Sequence, residues 1–140
     1  MAPENPAQHY FVSDPSVAEK PRRITVELRG RTVDVGTAAG VFSPLDLDKG
    51  TAALLRNVPD PHGRNLLDIG CGWGPITLAL ALAAPSATVT AVDVNERSLR
   101  LTAANARELG LTGVETHRPE DVPADRTFDT MWSNPPIRVG

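Results

Sequence analysis

The chain has 140 residues, of which 41% are apolar and 22% charged, and its formal net charge is −3. This length fits one domain with its own core, and no apolar run reaches the about 18 residues that a membrane span needs. The N-terminus lacks the basic-then-apolar order of a secretion signal, and the single cysteine cannot pair within the chain. We therefore expect a cytoplasmic protein with no membrane association, and the acidic balance argues against indiscriminate binding to nucleic acid.

Residues 1–19 contain three prolines and few large apolar side chains, which predicts an N-terminal arm. The domain itself is expected over residues 20–140. It opens with two alternating segments around a glycine turn, which predict a hairpin over residues 23–35. Five basic side chains gather here, namely Lys20, Arg22, Arg23, Arg29 and Arg31. They predict either a local patch for phosphate contacts or a solvated hairpin face.

A loop is predicted next, over residues 40–50, because this segment has a glycine at each end and a proline within it. The short apolar-periodic segment Thr51–Arg56 follows and predicts a helix that stops before Pro59. No spacing of histidine, cysteine and carboxylate residues along the chain indicates a metal site, so we expect none.

The segment Leu66–Pro75 passes from a short apolar run through alternate glycines into an alanine- and leucine-rich stretch. This order predicts a buried strand, a tight turn and a helix, which is typical of a nucleotide-type site. A dinucleotide fingerprint requires G-x-G-x-x-G, whereas here the third glycine, Gly74, comes one residue early and is followed by Pro75. A nicotinamide-dependent oxidoreductase is therefore disfavoured.

An acidic residue before G-x-G-x-G resembles motif I of the class I S-adenosylmethionine (SAM) dependent methyltransferases. The resemblance implies that SAM is the cofactor and that the turn holds it through Asp68, Gly70, Cys71, Gly72 and Gly74. Glycine allows a ligand to lie against the main chain because it has no Cβ. For Cys71 we also expect a small side chain that packs without chemistry of its own.

The β-branched run Thr88–Val92 predicts a second strand, and Asp93 stands at its carboxyl end. A carboxylate about 20 residues past the glycine turn is where a ribose-binding acid stands in doubly wound folds. The resemblance implies that Val94 also contacts the cofactor. A helix over Glu96–Leu109 and a strand over Val114–His117 follow.

After the third strand, the resemblance implies an acid that accepts from the adenine amino group. We predict Asp121 rather than Glu120, and the alternative is a pair of solvated loop charges.

The segment Phe128–Ser133 predicts a fourth strand, which runs into Asn134-Pro135-Pro136. This ending resembles motif IV of the methyltransferases that act on planar exocyclic amines and amides. The resemblance implies that Asn134, Pro135 and Pro136 form the catalytic end of the site. The Asn134 oxygen and the Pro135 carbonyl would accept from the amine, Asn134 would also border the cofactor, and no strong base is required because positioning does most of the work.

The Gly-Val-Phe-Ser loop, the glycine turn and Asn-Pro-Pro together are similar to the ribosomal RNA small-subunit guanine-N2 methyltransferases. This implies that Phe42, Gly50 and Thr51 contact the methionine end of SAM, with a core aromatic and a helix cap as the alternatives for Phe42 and Thr51. Many members carry an aromatic residue after Asn-Pro-Pro, where this chain has Ile137. The predicted substrate is guanine N2 of ribosomal RNA. The alternatives are a protein glutamine amide or a small molecule as acceptor, or a SAM-binding module without catalysis.

The predicted fold is α/β, a Rossmann-like doubly wound methyltransferase fold with strand order 3-2-1-4 and an N-terminal β-hairpin. The SAM-binding half would span residues 40–140. Members of the family continue with further helices and three more strands, which are absent here, so we expect either a truncated chain or completion by another chain. On this basis the fragment itself is expected to be inactive, and its uncovered fourth strand is expected to self-associate.

Overall fold

The computed structural model describes residues 22–38 and 47–134. The chain begins with a hairpin of β1 (Arg22–Leu28) and β2 (Arg31–Thr37), followed by helix α1 (Lys49–Asn57). The remaining elements alternate, and in chain order they are β3 (Asn65–Ile69), α2 (Pro75–Ala83), β4 (Thr88–Val92), α3 (Glu96–Glu108), β5 (Val114–His117), a 3-10 turn (Pro119–Asp121) and β6 (Thr130–Met131).

The four later strands form one parallel sheet in the order β5-β4-β3-β6, while β1 and β2 pair antiparallel in a sheet of their own. Counted along the chain, the parallel strands therefore stand in the order 3-2-1-4. The predicted α/β fold class, with a mainly parallel sheet and an N-terminal hairpin, is confirmed. The hairpin extends slightly further than the predicted residues 23–35.

The core lies where helix α2 packs against the sheet. This helix contacts β3, β4, β1, α1 and α3, and Leu78 and Leu80 are completely buried. A helix that is apolar on every side is stable only inside a core, which explains its sequence of alternating leucines and alanines. Leu66 of β3 and Val89 of β4 meet it as fully buried partners. None of the helices within the described ranges is long and apolar enough to cross a membrane.

The fourth strand is shorter than predicted, because the ladder covers only Thr130 and Met131. Before it, the Asp129 carboxylate accepts from the main-chain N–H groups of Arg64 and Asn65 at 2.8 and 3.0 Å. After it, the Ser133 hydroxyl donates to the main-chain carbonyl of β3. These side-chain bonds supplement the main-chain bonds that flank the ladder, from the Asp129 N–H to the Asn65 carbonyl and from the Trp132 N–H to the Leu67 carbonyl. The outer edge of β6 has no strand partner among the described residues, and self-association at this edge stays a prediction.

A buried amide joins the hairpin to the turn that follows β3. The Asn105 side chain in α3 is 1% exposed. Its Nδ2 donates to the carbonyls of Gly36 and Trp73, both at 2.9 Å, and its Oδ1 accepts from the Gly36 N–H at 2.7 Å. Both donors and the acceptor of the amide are therefore used. This contact fixes the hairpin and the glycine turn relative to α3.

Replacing Asn105 with alanine is expected to destabilise the fold, because three buried main-chain groups lose their partner. An unsatisfied buried group costs about 1–3 kcal/mol, so the free energy of unfolding should fall by at least this amount. Urea denaturation measures the loss. A matched control is Asn57→Ala, whose exposed amide also donates to a carbonyl, that of Ala53 at 2.6 Å, and which should change stability by less than about 0.5 kcal/mol. Equal losses in the two variants would contradict this role for Asn105.

Candidate functional site

The candidate site lies at the edge of the sheet where the parallel strands end. β3 pairs in register with β4 on one side and with β6 on the other, so that Leu67 is opposite both Thr90 and Met131. The segments after these three strands consequently leave the sheet side by side. This edge is where open α/β sheets bind their ligands.

The glycine turn after β3 combines an open position with a packed one. Gly72 has φ +59°, and a Cβ at this position would meet no atom within 4 Å. Gly74 has φ +105°, and a Cβ there would lie only 3.0 Å from the Thr102 hydroxyl of α3. Gly72 is therefore the glycine that leaves room for a ligand, whereas Gly74 permits close packing of the turn against α3.

The inner side of the turn is held by hydrogen bonds. The main-chain N–H groups of Gly70 and Cys71 donate to the Val92 carbonyl at 2.7 and 3.1 Å, and the Thr102 hydroxyl donates to the Gly72 carbonyl at 2.9 Å. Cys71 is 3% exposed, and burial raises the pKa of its thiol. The thiol is therefore neutral and packs without reactivity.

Asp68 is a carboxylate buried beneath the turn. It is 0% exposed, and its Oδ2 accepts from the Thr77 hydroxyl at 2.8 Å. Its Oδ1 has no partner among the described residues. Burial raises the pKa of Asp68 to about 7, the hydrogen bonds from Thr77 oppose the rise, and the nearby Asp93 charge adds to it. A buried acceptor without a partner is costly, and it fits a site that receives a cationic group.

Asp93 stands directly after β4 and is bound to the glycine turn. Its Oδ2 accepts from the Gly72 N–H at 3.0 Å, and its Oδ1 accepts from the Asn95 N–H at 2.9 Å. Each carboxylate oxygen keeps further acceptor capacity for ligand hydroxyls. Beside it, Val94 is an apolar side chain that is 72% exposed. The pair offers an anionic acceptor and an apolar surface next to the open face of Gly72.

The acid predicted after the third strand lies apart from the turn. Asp121 closes the 3-10 turn and lines a cavity of about 290 Å³ between α3 and β5, whose lining includes no described residue of the glycine turn. Glu120 pairs with Arg118 at 3.1 Å, whereas no described residue pairs with Asp121. This difference favours Asp121 as the acid that is free to accept from a ligand.

The end of the fourth strand meets the beginning of α1. Asn134 donates through Nδ2 to the Asp48 Oδ2 at 2.9 Å and to the Thr51 hydroxyl at 3.1 Å. A carboxylate can only accept, so the orientation of the Asn134 amide follows from chemistry. Asp48 is also the N-cap of α1, since its Oδ2 accepts from the Thr51 N–H at 3.1 Å. Asn134 therefore uses both donors within the protein, and no described residue bonds to its oxygen.

Apart from Asp121, the sequence-predicted residues that the structure describes form two groups. Asp68, the glycine turn, Asp93 and Val94 lie at the ends of β3 and β4, and Asn134 lies against Gly50 and Thr51. Asp48 was missed, although an aspartate three residues before Thr51 is an ordinary N-cap signal. The remaining predicted residues, Phe42, Pro135 and Pro136, lie outside the described residues.

The basic cluster of the hairpin is partly used inside the protein. Arg23 pairs with Glu108 at 2.9 Å and with Asp34 at 3.3 Å. Arg29 donates to two carbonyls at the end of α1, pairs with Asp60, and lies 5.1 Å from the centre of the Trp132 ring. These two arginines stabilise the hairpin against its neighbours. In residues 22–38 and 47–134 no group of three or more metal-binding side chains is placed to hold an ion.

Comparison with known proteins relates this site to methyltransferases. Residues 32–140 match the family model described as Methyltransferase small domain. The chain is 34% identical over 138 residues to the protein YbxB of Bacillus subtilis (strain 168), and the match covers 96% of this chain and 69% of that protein. It is 36% identical over 110 residues to the ribosomal RNA small subunit methyltransferase C of Hahella chejuensis, with 78% of this chain and 32% of that protein covered.

Among solved structures, the T. thermophilus 16S rRNA N2 G1207 methyltransferase (RsmC), in complex with AdoMet and guanosine, superimposes with a TM-score of 0.72 at 27% identity. That match covers 85% of this chain and 34% of the other. The chain therefore spans about a third of the ribosomal RNA methyltransferases that it matches. From its family match, its parallel sheet and its glycine turn, the chain belongs to the small-domain family of methyltransferases, which use S-adenosyl-L-methionine.

Proposed function

We propose that this protein transfers a methyl group from SAM to an exocyclic amine, and that the amine is guanine N2 of ribosomal RNA. The observation that supports this best is the state of the Asn134 amide. Its Nδ2 donates to Asp48 and Thr51, so the group that remains is an acceptor, Oδ1. An acceptor selects a substrate atom that carries N–H, and an exocyclic amine is such an atom.

The cofactor would lie across the ends of β3 and β4. Asp93 has acceptor capacity for the two ribose hydroxyls, Val94 offers an apolar surface for the adenine, and Gly72 leaves its main chain open. The unpaired oxygen of Asp68 supplies negative charge near the turn for the amino group of the methionine moiety. When bound, SAM supplies a methyl group on a sulfonium, which is a good leaving group.

The protein's own contribution to the reaction is orientation. A hydrogen bond from the amine to Asn134 Oδ1 fixes the nitrogen in place, and by the family resemblance the carbonyl of Pro135 holds the second hydrogen. In the transfer a C–N bond forms while the C–S bond breaks, and the nitrogen then loses a proton to water. Positioning of this kind can contribute about 7 kcal/mol or more, so no strong base is needed.

RNA as the substrate class is supported by the names of the relatives and by one surface. Arg31 and Arg56 are exposed and line a cavity of about 480 Å³ between the hairpin and α1, together with Arg29 and Asp60. Exposed arginines of this kind suit phosphate contacts. A glutamine amide or a small molecule is the second candidate, because a planar amide nitrogen also donates N–H to Asn134.

Replacing Asp93 with alanine should weaken SAM binding by roughly 1–3 kcal/mol, because hydrogen bonds to a charged group are lost. Calorimetry measures the affinity, and thermal unfolding verifies that the variant is folded, since Asp93 also accepts from Gly72 and Asn95. Asp60→Ala is a matched control, because that aspartate is exposed on the hairpin side. Unchanged affinity in folded Asp93→Ala would contradict the ribose assignment.

SAM binding is expected to release a proton below the Asp68 pKa of about 7. Since burial raises this pKa, the free protein holds a proton there at lower pH, and the incoming ammonium group favours the ionised form. Affinity should therefore rise with pH until the pKa is passed. Calorimetry in buffers of different ionisation enthalpy detects the proton. Asp68→Asn should remove the buffer dependence, and identical heats in all buffers for the unaltered protein would disprove this coupling.

Replacing Asn134 with alanine should lower the methyl-transfer rate by roughly 100-fold, because a small misplacement of the amine costs about that much. The assay uses the natural full-length protein, radiolabelled SAM, and both naked and assembled ribosomal RNA, followed by nucleoside analysis for N2-methylguanosine. A glutamine-containing peptide tests the second candidate. Full activity of Asn134→Ala would show that the amine binds elsewhere, and SAM binding without any transfer would favour a module without catalysis.

A further inference from the structure

The N-cap residue of α1, Asp48, is bound to Asn134 of the candidate acceptor site, which is distant from it in sequence. Asp48 and Asn134 are separated by 86 positions in sequence, yet Asp48 Oδ2 lies 2.9 Å from Asn134 Nδ2. The same oxygen accepts from the Thr51 N–H at 3.1 Å. One carboxylate oxygen therefore begins helix α1 and holds the amide at the end of the fourth strand.

We propose that Asp48 is a positioning residue for methyl transfer and acts through Asn134. This inference rests on the proposed function, in which Asn134 Oδ1 accepts from the amine. A free asparagine amide has two orientations of nearly equal shape, and one of them turns its N–H groups toward the substrate. That orientation would repel an amine that also presents hydrogens. Asp48 accepts but cannot donate, so it stabilises only the orientation that leaves Oδ1 for the substrate.

Thr51 also bonds to the Asn134 amide, but it cannot select the orientation of that amide alone. Its hydroxyl, in a residue that is 4% exposed, accepts from Asn134 at 3.1 Å. A hydroxyl can also donate, so it would bond to the Asn134 amide in either of its two orientations. Asp48 is the partner whose chemistry excludes the flipped state. Together the two residues use both N–H groups of Asn134.

A second, independent observation is that Gly50 lies next to this contact, where a side chain would have little room. A Cβ at Gly50 would stand 3.0 Å from Asn134 Nδ2 and 3.1 Å from Asp48 Oδ2. The lack of a side chain is therefore needed for space at the place where the amide and the carboxylate meet. Within helix α1, alanine would favour the helix by up to about 1 kcal/mol over glycine. Glycine at this position therefore has a lower helix propensity than alanine, but it does not crowd the contact.

The central test compares Asp48→Ser with Asp48→Asn in the natural full-length protein. Serine still caps a helix but is too short to reach Asn134, so loss of the cap cannot explain a loss of rate. Asparagine has the length of aspartate and can accept from Asn134, but it does not exclude the flipped amide. We expect kcat to fall roughly 10- to 100-fold for serine, with a smaller loss for asparagine. SAM affinity and KM for the RNA should stay unchanged.

A double-mutant cycle separates action through Asn134 from a general effect. If Asp48 acts through Asn134, Asp48→Ser should cost nothing further in an Asn134→Ala background. Additive losses, or an unchanged kcat in Asp48→Ser alone, would overturn the positioning role while leaving the proposed function intact. If the unaltered protein methylates no amine, the proposed function fails, and the positioning role falls with it.

The side-chain amide signals of Asn134 give a readout that does not depend on turnover. In the unaltered protein both Nδ2 hydrogens should exchange slowly with solvent, because both are bonded. In Asp48→Ser this protection should decrease markedly, and Gly50→Ala should lower it without lowering thermal stability. Undiminished protection in Asp48→Ser would show that Asp48 does not hold the amide, and the proposal would be wrong.

Discussion

Parallel, in-register pairing of β3 with a neighbour on each side is the constraint on which the site depends. Because Leu67 is level with both Thr90 and Met131, the glycine turn, Asp93 and Asn134 leave the sheet at the same edge. A slip of one residue in either pairing would turn the side chains of that strand to the opposite face. The functional groups of the site therefore lie close together without a long loop, because each one directly follows the end of a strand.

Buried polar contacts then keep the turn rigid from below. Thr77 holds one oxygen of Asp68, Thr102 holds the Gly72 carbonyl, and Asn105 joins the turn to the hairpin. These bonds engage the inner side of the turn and leave the face above Gly72 open. A turn fixed in this way loses little conformational entropy when a ligand binds, which favours affinity. The hairpin therefore contributes to the site indirectly, by restraining the turn through α3.

The features that depend on local sequence patterns could be predicted from the sequence. The glycine turn, the acid after the second strand and the strands Thr88–Val92 and Val114–His117 follow from periodicity and motif spacing. The contact between Asp48 and Asn134 does not, because it joins residues that no local pattern relates. The length of the fourth strand was overestimated, since its regular pairing with β3 covers only Thr130 and Met131. The ion pairs of Arg23 and Arg29 could not be predicted from the sequence either, because only the fold brings their partners near.

A crystal structure of the natural full-length protein with demethylated SAM and guanosine would show whether this edge holds SAM at Asp93 and an amine at Asn134. We expect ribose hydroxyls on the Asp93 carboxylate, and Asn134 Oδ1 at roughly 2.7–3.2 Å from the exocyclic nitrogen of guanine. In that complex Nδ2 should stay on Asp48, as it does in the free protein. A guanine that contacts Asn134 through Nδ2, or a cofactor bound away from the glycine turn, would show that the site is assigned wrongly.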